Sequence, residues 1–163
     1  MPDATGSNAT SSRISDQTIP LEDVRIKLAR IWLTGSGLTF AILVLQSLRH
    51  VYADLTSDAW SWFLPAIVPT LSMIIGVFAY TALDPKKDTA VVRRSFVPFA
   101  VWLSIFYLAA VILTVLIQPF ASANPAEAVG LMKTSNLWLG PFQGLVTSAL
   151  GALFASKAHK VKS

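Results

Sequence analysis

Apolar and polar positions separate into blocks along this chain instead of alternating. Ile31–Leu48, Trp62–Leu83, Ser95–Ala126 and Thr134–Ser156 contain no Asp, Glu, Lys, Arg or His. A helix needs about 20 mostly apolar residues to cross about 30 Å of hydrocarbon. The blocks therefore predict an all-α integral membrane protein with spans over about 28–48, 61–83, 96–120 and 137–155. A soluble bundle with a buried helical core is the competing fold. Helices of that kind keep a polar face, and these blocks mostly do not.

The connections between blocks are short, which predicts consecutive helices as antiparallel neighbours in a four-helix bundle. Pro20, followed by Glu22 and Asp23, suits a helix start near Leu21 that runs into the first span. Residues 1–20 are small, polar and rich in Ser and Thr, and read as a disordered tail. Residues 21–156 form the membrane domain and 157–163 a basic tail. The stretch ASANPAEAVGLMKTSN is the longest external loop, with room for one short amphipathic helix. No basic leader immediately precedes a short apolar core, so a cleaved signal peptide is not expected.

Composition agrees with the pattern. Hydrophobic residues make up 53% of the 163 and charged residues 13%, against about 25% charged in a soluble domain. The positions of the charges add orientation. Arg13, Arg25, Lys27, Arg30, Lys86, Lys87, Arg93, Arg94, Lys157, Lys160 and Lys162 fall on one side of the spans, and only Arg49 and Lys133 on the other. The positive-inside rule then puts both termini in the cytoplasm, in a multi-pass protein of the cell inner membrane. The Asn8–Ala9–Thr10 glycosylation pattern lies on the cytoplasmic side of that topology and is read as chance. The formal charge of +4 does not imply a nucleic-acid partner, because the basic residues flank apolar blocks instead of forming a basic domain.

Candidate chemistry is sparse. There is no cysteine, and no glycine-rich phosphate loop, zinc spacing or Ser–His–carboxylate constellation. His50 and His159 fall on opposite sides of the spans. Neither a metal, a cofactor nor a catalytic residue is expected, and the reading is of a non-enzyme. Coupled transport usually places an ionisable group or a broken helix at mid-membrane depth, and the span cores carry no ionisable group.

Small and polar residues do form faces. In the third span Ser104, Tyr107, Thr114 and Gln118 lie three, seven and four residues apart, on one seam with Val111. Gln46 joins Gly35, Thr39 and Ile42 on a face of the first span. In the fourth, Gly140, Gly144, Ser148 and Gly151 form a helix-packing face that begins with GxxxG. One reading packs these faces inside the bundle, hydroxyls on backbone carbonyls and glutamines on one another. The other lines a pore with Ser104, Tyr107, Thr114 and Gln118, joined by Gln46. Trp32, Trp60, Trp62, Phe63 and Trp138 read as interfacial anchors.

The second span carries Pro65 and Pro69. Pro65 falls near its predicted first turn, where a missing N–H costs little. Pro69 lies one turn deeper, predicts a kink and leaves the Pro65 carbonyl without its helical partner. Pro65, Pro69, Ser72, Gly76 and Tyr80 recur on one face, expected to meet protein. Together these features lead to the expectation of a non-catalytic, self-associating membrane protein, with a small oligomeric channel lined by the third span as its activity. The alternatives are an accessory, scaffold or sensor subunit for an unidentified membrane or cytoplasmic partner, and a small uncoupled transporter. The bilayer and further copies of the chain are the expected partners.

Overall fold

The computed structural model describes residues 18–83, 91–121 and 124–155. The predicted tail over residues 1–17, the basic tail over 157–163 and the lysine pair at 86–87 lie outside the described residues. A strand β1 (Thr18–Pro20) leads into α1 (Leu21–Leu48). A 3-10 turn (Ala53–Leu55) precedes α2 (Thr56–Leu83), and β2 (Val91–Arg93) precedes α3 (Phe96–Ala121) and α4 (Pro125–Ala155). All four helices are long and apolar enough to cross a membrane, and they mark a multi-pass membrane protein. At about 1.5 Å rise per residue, the 28 residues of α1 reach about 42 Å, longer than the roughly 30 Å of a bilayer's hydrocarbon.

Two boundaries differ from the sequence pattern. The predicted external loop after the third span is helix almost throughout, because Asn124-Pro125-Ala126-Glu127 is a helix start. Asn124 Oδ1 accepts the Ala126 N–H at 3.0 Å, and Pro125 occupies the first helical position, where no N–H is needed. α2 likewise begins at Thr56, so Pro65 is an interior residue and not a first-turn one. Residues 18–20, expected in the disordered tail, pair antiparallel with 91–93, Thr18 opposite Arg93 and Pro20 opposite Val91.

Of the consecutive pairs, α3 and α4 pack extensively, whereas α1 and α2 touch little. α1 packs along α3, α3 along α4, and α4 along α2, so the order around the bundle is α1, α3, α4, α2. The neighbours α1 and α3 run parallel: Gly35 meets Leu108, and Gln46 meets Val115 further along both. α2 and α4 also run parallel, with Asp58 beside Lys133, Trp62 beside Ser135 and Phe78 beside Phe154. The two-stranded ribbon gives the reason. β1 feeds α1 and β2 feeds α3, so their pairing brings the starts of those two helices together.

The centre is filled. Trp32 and Tyr107 are fully buried and stack with ring centroids 5.9 Å apart. Leu28, Leu43, Val111, Val115 and Leu150 belong to the same buried core. A Cβ at Gly35 would sit 2.8 Å from Leu108 Cδ1, so the missing side chain lets α1 approach α3 closely. The outward faces carry exposed Leu38, Phe40, Ile75, Phe99, Trp102 and Leu145, an apolar surface of the kind that suits a bilayer.

Arg25 is buried, although the sequence pattern counts it among the orienting surface charges. Its Nε donates to the Leu153 carbonyl at 3.1 Å, and a terminal nitrogen donates to the Phe154 carbonyl at 3.0 Å. These carbonyls stand in the last described turn of α4, at the end of a helix where its dipole is negative. One guanidinium thus ties the start of α1 to the end of α4.

Candidate functional site

The polar seam of α3 turns into the bundle. Ser104, Tyr107 and Gln118 are buried, and Thr114 is half-buried with its hydroxyl on the Ala110 carbonyl at 2.8 Å. Tyr107 donates to the Ala66 carbonyl of α2 at 2.9 Å. The expected glutamine pair does not form. Gln46 Nε2 instead donates to the Val115 carbonyl at 3.0 Å, and its Oε1 accepts from the Tyr52 hydroxyl.

The choice of Val115 has a covalent cause. Pro119 lies inside α3 and has no N–H, so the carbonyl four residues earlier, that of Val115, loses its helical partner. Gln46 supplies the missing donor from α1. The same solution recurs in α2. Pro69 frees the Pro65 carbonyl, and Gln143 Nε2 from α4 donates to it at 2.8 Å and to the Ala66 carbonyl at 3.3 Å. Each parallel pair of helices is therefore joined by a glutamine from one helix on a carbonyl that proline has freed in the other. In hydrocarbon no water competes to satisfy such a carbonyl, so the donor must come from protein. Gln143 does not stand out in the sequence pattern. Pro65 and Pro69 lie four positions apart, but nothing in sequence spacing indicates which distant side chain reaches the gap.

The proline face of α2 points the other way from expectation. Pro65, Pro69, Ser72, Gly76 and Tyr80 are exposed, and the buried side of α2 is Trp62, Phe63, Ala66, Ile67, Thr70 and Ile74. Bulky apolar side chains fill the interior more completely than proline rings and glycine do. α2 runs unbroken through both prolines. Trp62, expected as an interfacial anchor, is buried with its indole N–H on Ser135 Oγ at 3.1 Å. Phe63 and Trp32 are buried too, while Trp138 is exposed.

The small-residue face of α4 stays open. Gly140, Gly144 and Ser148 are exposed, Gly151 is half-buried, and a Cβ at any of the three glycines would meet nothing within 4 Å. Gly140 borders a cleft of about 220 Å³ between α2 and α4, lined also by Ser61, Pro65, Tyr107, Asn136 and Gln143.

At the end of the bundle opposite the basic residues, α1 stops in a Schellman arrangement. The Val51 N–H reaches the Gln46 carbonyl and the His50 N–H reaches the Ser47 carbonyl, both at 3.1 Å. His50 occupies the left-handed position that usually holds glycine, with φ 56°. Tyr52 follows, fully buried, and burial pushes its hydroxyl from 10.0 up to about 12. Among the described residues no group of three His, Cys, Asp or Glu side chains comes together to hold a metal. No protein-family model, curated protein or solved structure matches the chain.

Proposed function

We propose that this chain is a non-catalytic protein of the cell membrane, with both termini cytoplasmic, that self-associates in the bilayer and serves as a scaffold or accessory subunit. The observation that carries the proposal is the open face of α4. Gly140 and Gly144, one turn apart on a membrane helix, have empty space where a Cβ would be. Close helix approach in a bilayer relies on small residues at such faces, and among the described glycines only Gly35 is used this way within the subunit. Leu137 and Leu145 flank the face and are 79% and 58% exposed, so a second copy would find apolar contact there. The exposed Arg93 and Arg94 at the basic end suit the anionic cytoplasmic leaflet.

A channel lined by α3 draws less support from the same geometry. Ser104, Tyr107 and Gln118 are directed at the subunit's own helices, and an axis between subunits would need them outside. Subunit counting by single-molecule photobleaching in lipid nanodiscs tests the proposal. Self-association predicts more than one copy per disc at raised protein-to-lipid ratio, and Gly144→Ile returning the chain to single copies. Single copies at every ratio would overturn it. Ion flux through liposomes containing only this protein would favour the channel.

A further inference from the structure

A second surface is separate from the open glycine face. Between α3 and α4 lies a groove of about 540 Å³, within the range of about 300–1,000 Å³ typical of small-molecule sites. By the helical period its α4 residues, Leu131, Thr134, Ser135 and Trp138, project roughly opposite Gly140 and Gly144. The groove is graded in polarity. Gln118, Thr114, Thr134 and Ser135 lie towards the end of α3, and Phe106, Ala109 and Ala110 lie deeper.

Gln118 is the unusual member. It is 1% exposed, and neither its amide nitrogen nor its amide oxygen has a hydrogen-bond partner. The other two glutamines of the bundle, Gln46 and Gln143, are both bonded across helices. Burying an unpaired amide is unfavourable, so a side chain of this kind in the wall of a groove is stabilised by whatever supplies its missing partners. A primary amide presents a donor and an acceptor side by side. The group that complements both at once is a protonated carboxylic acid or a carboxamide.

We infer that the α3–α4 groove binds a single-chain amphiphile with a carboxylic acid or carboxamide head, a long-chain fatty acid or its amide. Both amide atoms are occluded, so a rotation of the Gln118 side chain towards the groove is needed before the head C=O accepts from Nε2 and the head O–H or N–H donates to Oε1. The chain runs from there past Leu113 towards Phe106, about 18 Å along α3. This places the head within about one turn of the helix end, near interfacial depth, and the chain in hydrocarbon, the order in which a bilayer would deliver it.

Trp138 lines the groove and reports on occupancy. The full chain in nanodiscs is titrated with dibrominated stearic acid, its carboxamide, its methyl ester, and phosphatidylcholine carrying the same brominated chain. Quenching of Trp138 is read as the difference from Trp138→Phe. The acid and the amide should quench saturably, with the ester, which has no donor, about tenfold weaker. Raising the pH should weaken the acid and leave the amide unchanged. Gln118→Leu, which removes an unpaired amide and should fold at least as well, should weaken both about tenfold. Ala109→Phe, at an exposed position, should abolish quenching by filling the groove. Equal quenching per bromine by the acid, the ester and phosphatidylcholine, unchanged by Gln118→Leu, would overturn the inference and leave the groove as ordinary lipid contact.

Discussion

The Gln46–Val115 and Gln143–Pro65 junctions solve one problem at two sites, and they differ in how much else depends on each. At the first, Gln46 is 8% exposed, with its nitrogen on the Val115 carbonyl and its oxygen on the fully buried Tyr52 hydroxyl. Its own carbonyl closes the Schellman turn. At the second, Gln143 is half-buried, reaches an exposed Pro65 and stands beside the cleft of about 220 Å³. The same chemical pairing is thus a closed network at one end of α1 and an open clasp between α2 and α4. Loss of the first strands a buried acceptor and a buried hydroxyl. Loss of the second frees the carbonyl of an exposed Pro65 and leaves the Ala66 carbonyl still bonded by Tyr107.

The comparison predicts a ranked series. Gln46→Leu should destabilise the fold most, by about 2–4 kcal/mol, since each buried group left unsatisfied costs about 1–3. Unfolding in bicelles measures it. Gln143→Leu should cost less, about 0.6 kcal/mol, the usual size of an interhelical hydrogen bond in a membrane. Equal losses at the two sites would erase the distinction between closed network and open clasp.

His50→Gly acts on the turn that frames the first junction. It should stabilise the fold by about 1 kcal/mol, because a left-handed backbone costs a non-glycine residue about that much. The same substitution should leave the cost of Gln143→Leu unaffected, since well-separated sites add.

The same network also carries a pH dependence. Burial holds the Tyr52 hydroxyl at about 12 against its ordinary 10.0. Its contribution to stability is complete below pH 10 and is lost as pH rises through 12. Tyrosinate absorbance of wild type against Tyr52→Phe follows the titration. Because the cause is burial and not the bond to Gln46, the titration should remain above 10.0 in Gln46→Leu.

The spans are legible in the sequence because hydrocarbon excludes charge, and the four charge-free blocks record that directly. The inward orientation of Ser104, Tyr107 and Gln118 is legible as one of two readings, since their spacing gives a face but not what the face meets. The remainder depends on register between distant segments. Gln46 and Gln118 occupy similar seams in sequence, yet one meets Val115 and the other meets no partner. Gly35 and Gly140 both read as packing glycines, and only Gly35 of the two has a neighbour within 4 Å. The start of α4 is readable in Asn124-Pro125-Ala126-Glu127, but the length of polar residues beyond it points to a loop. The order of helices around the bundle follows from a ribbon pairing residues 18–20 with 91–93, which no local pattern encodes.

Gln46 and Gln143 each stand in for a backbone N–H that proline removed. A double-mutant cycle on Gln46 and Pro119 tests this most directly. In a Pro119→Ala background the N–H restored at that position can bond to the Val115 carbonyl within α3. Gln46→Leu should then cost at least about 1 kcal/mol less than in wild type. Equal costs of Gln46→Leu with and without Pro119 would contradict that role of Gln46.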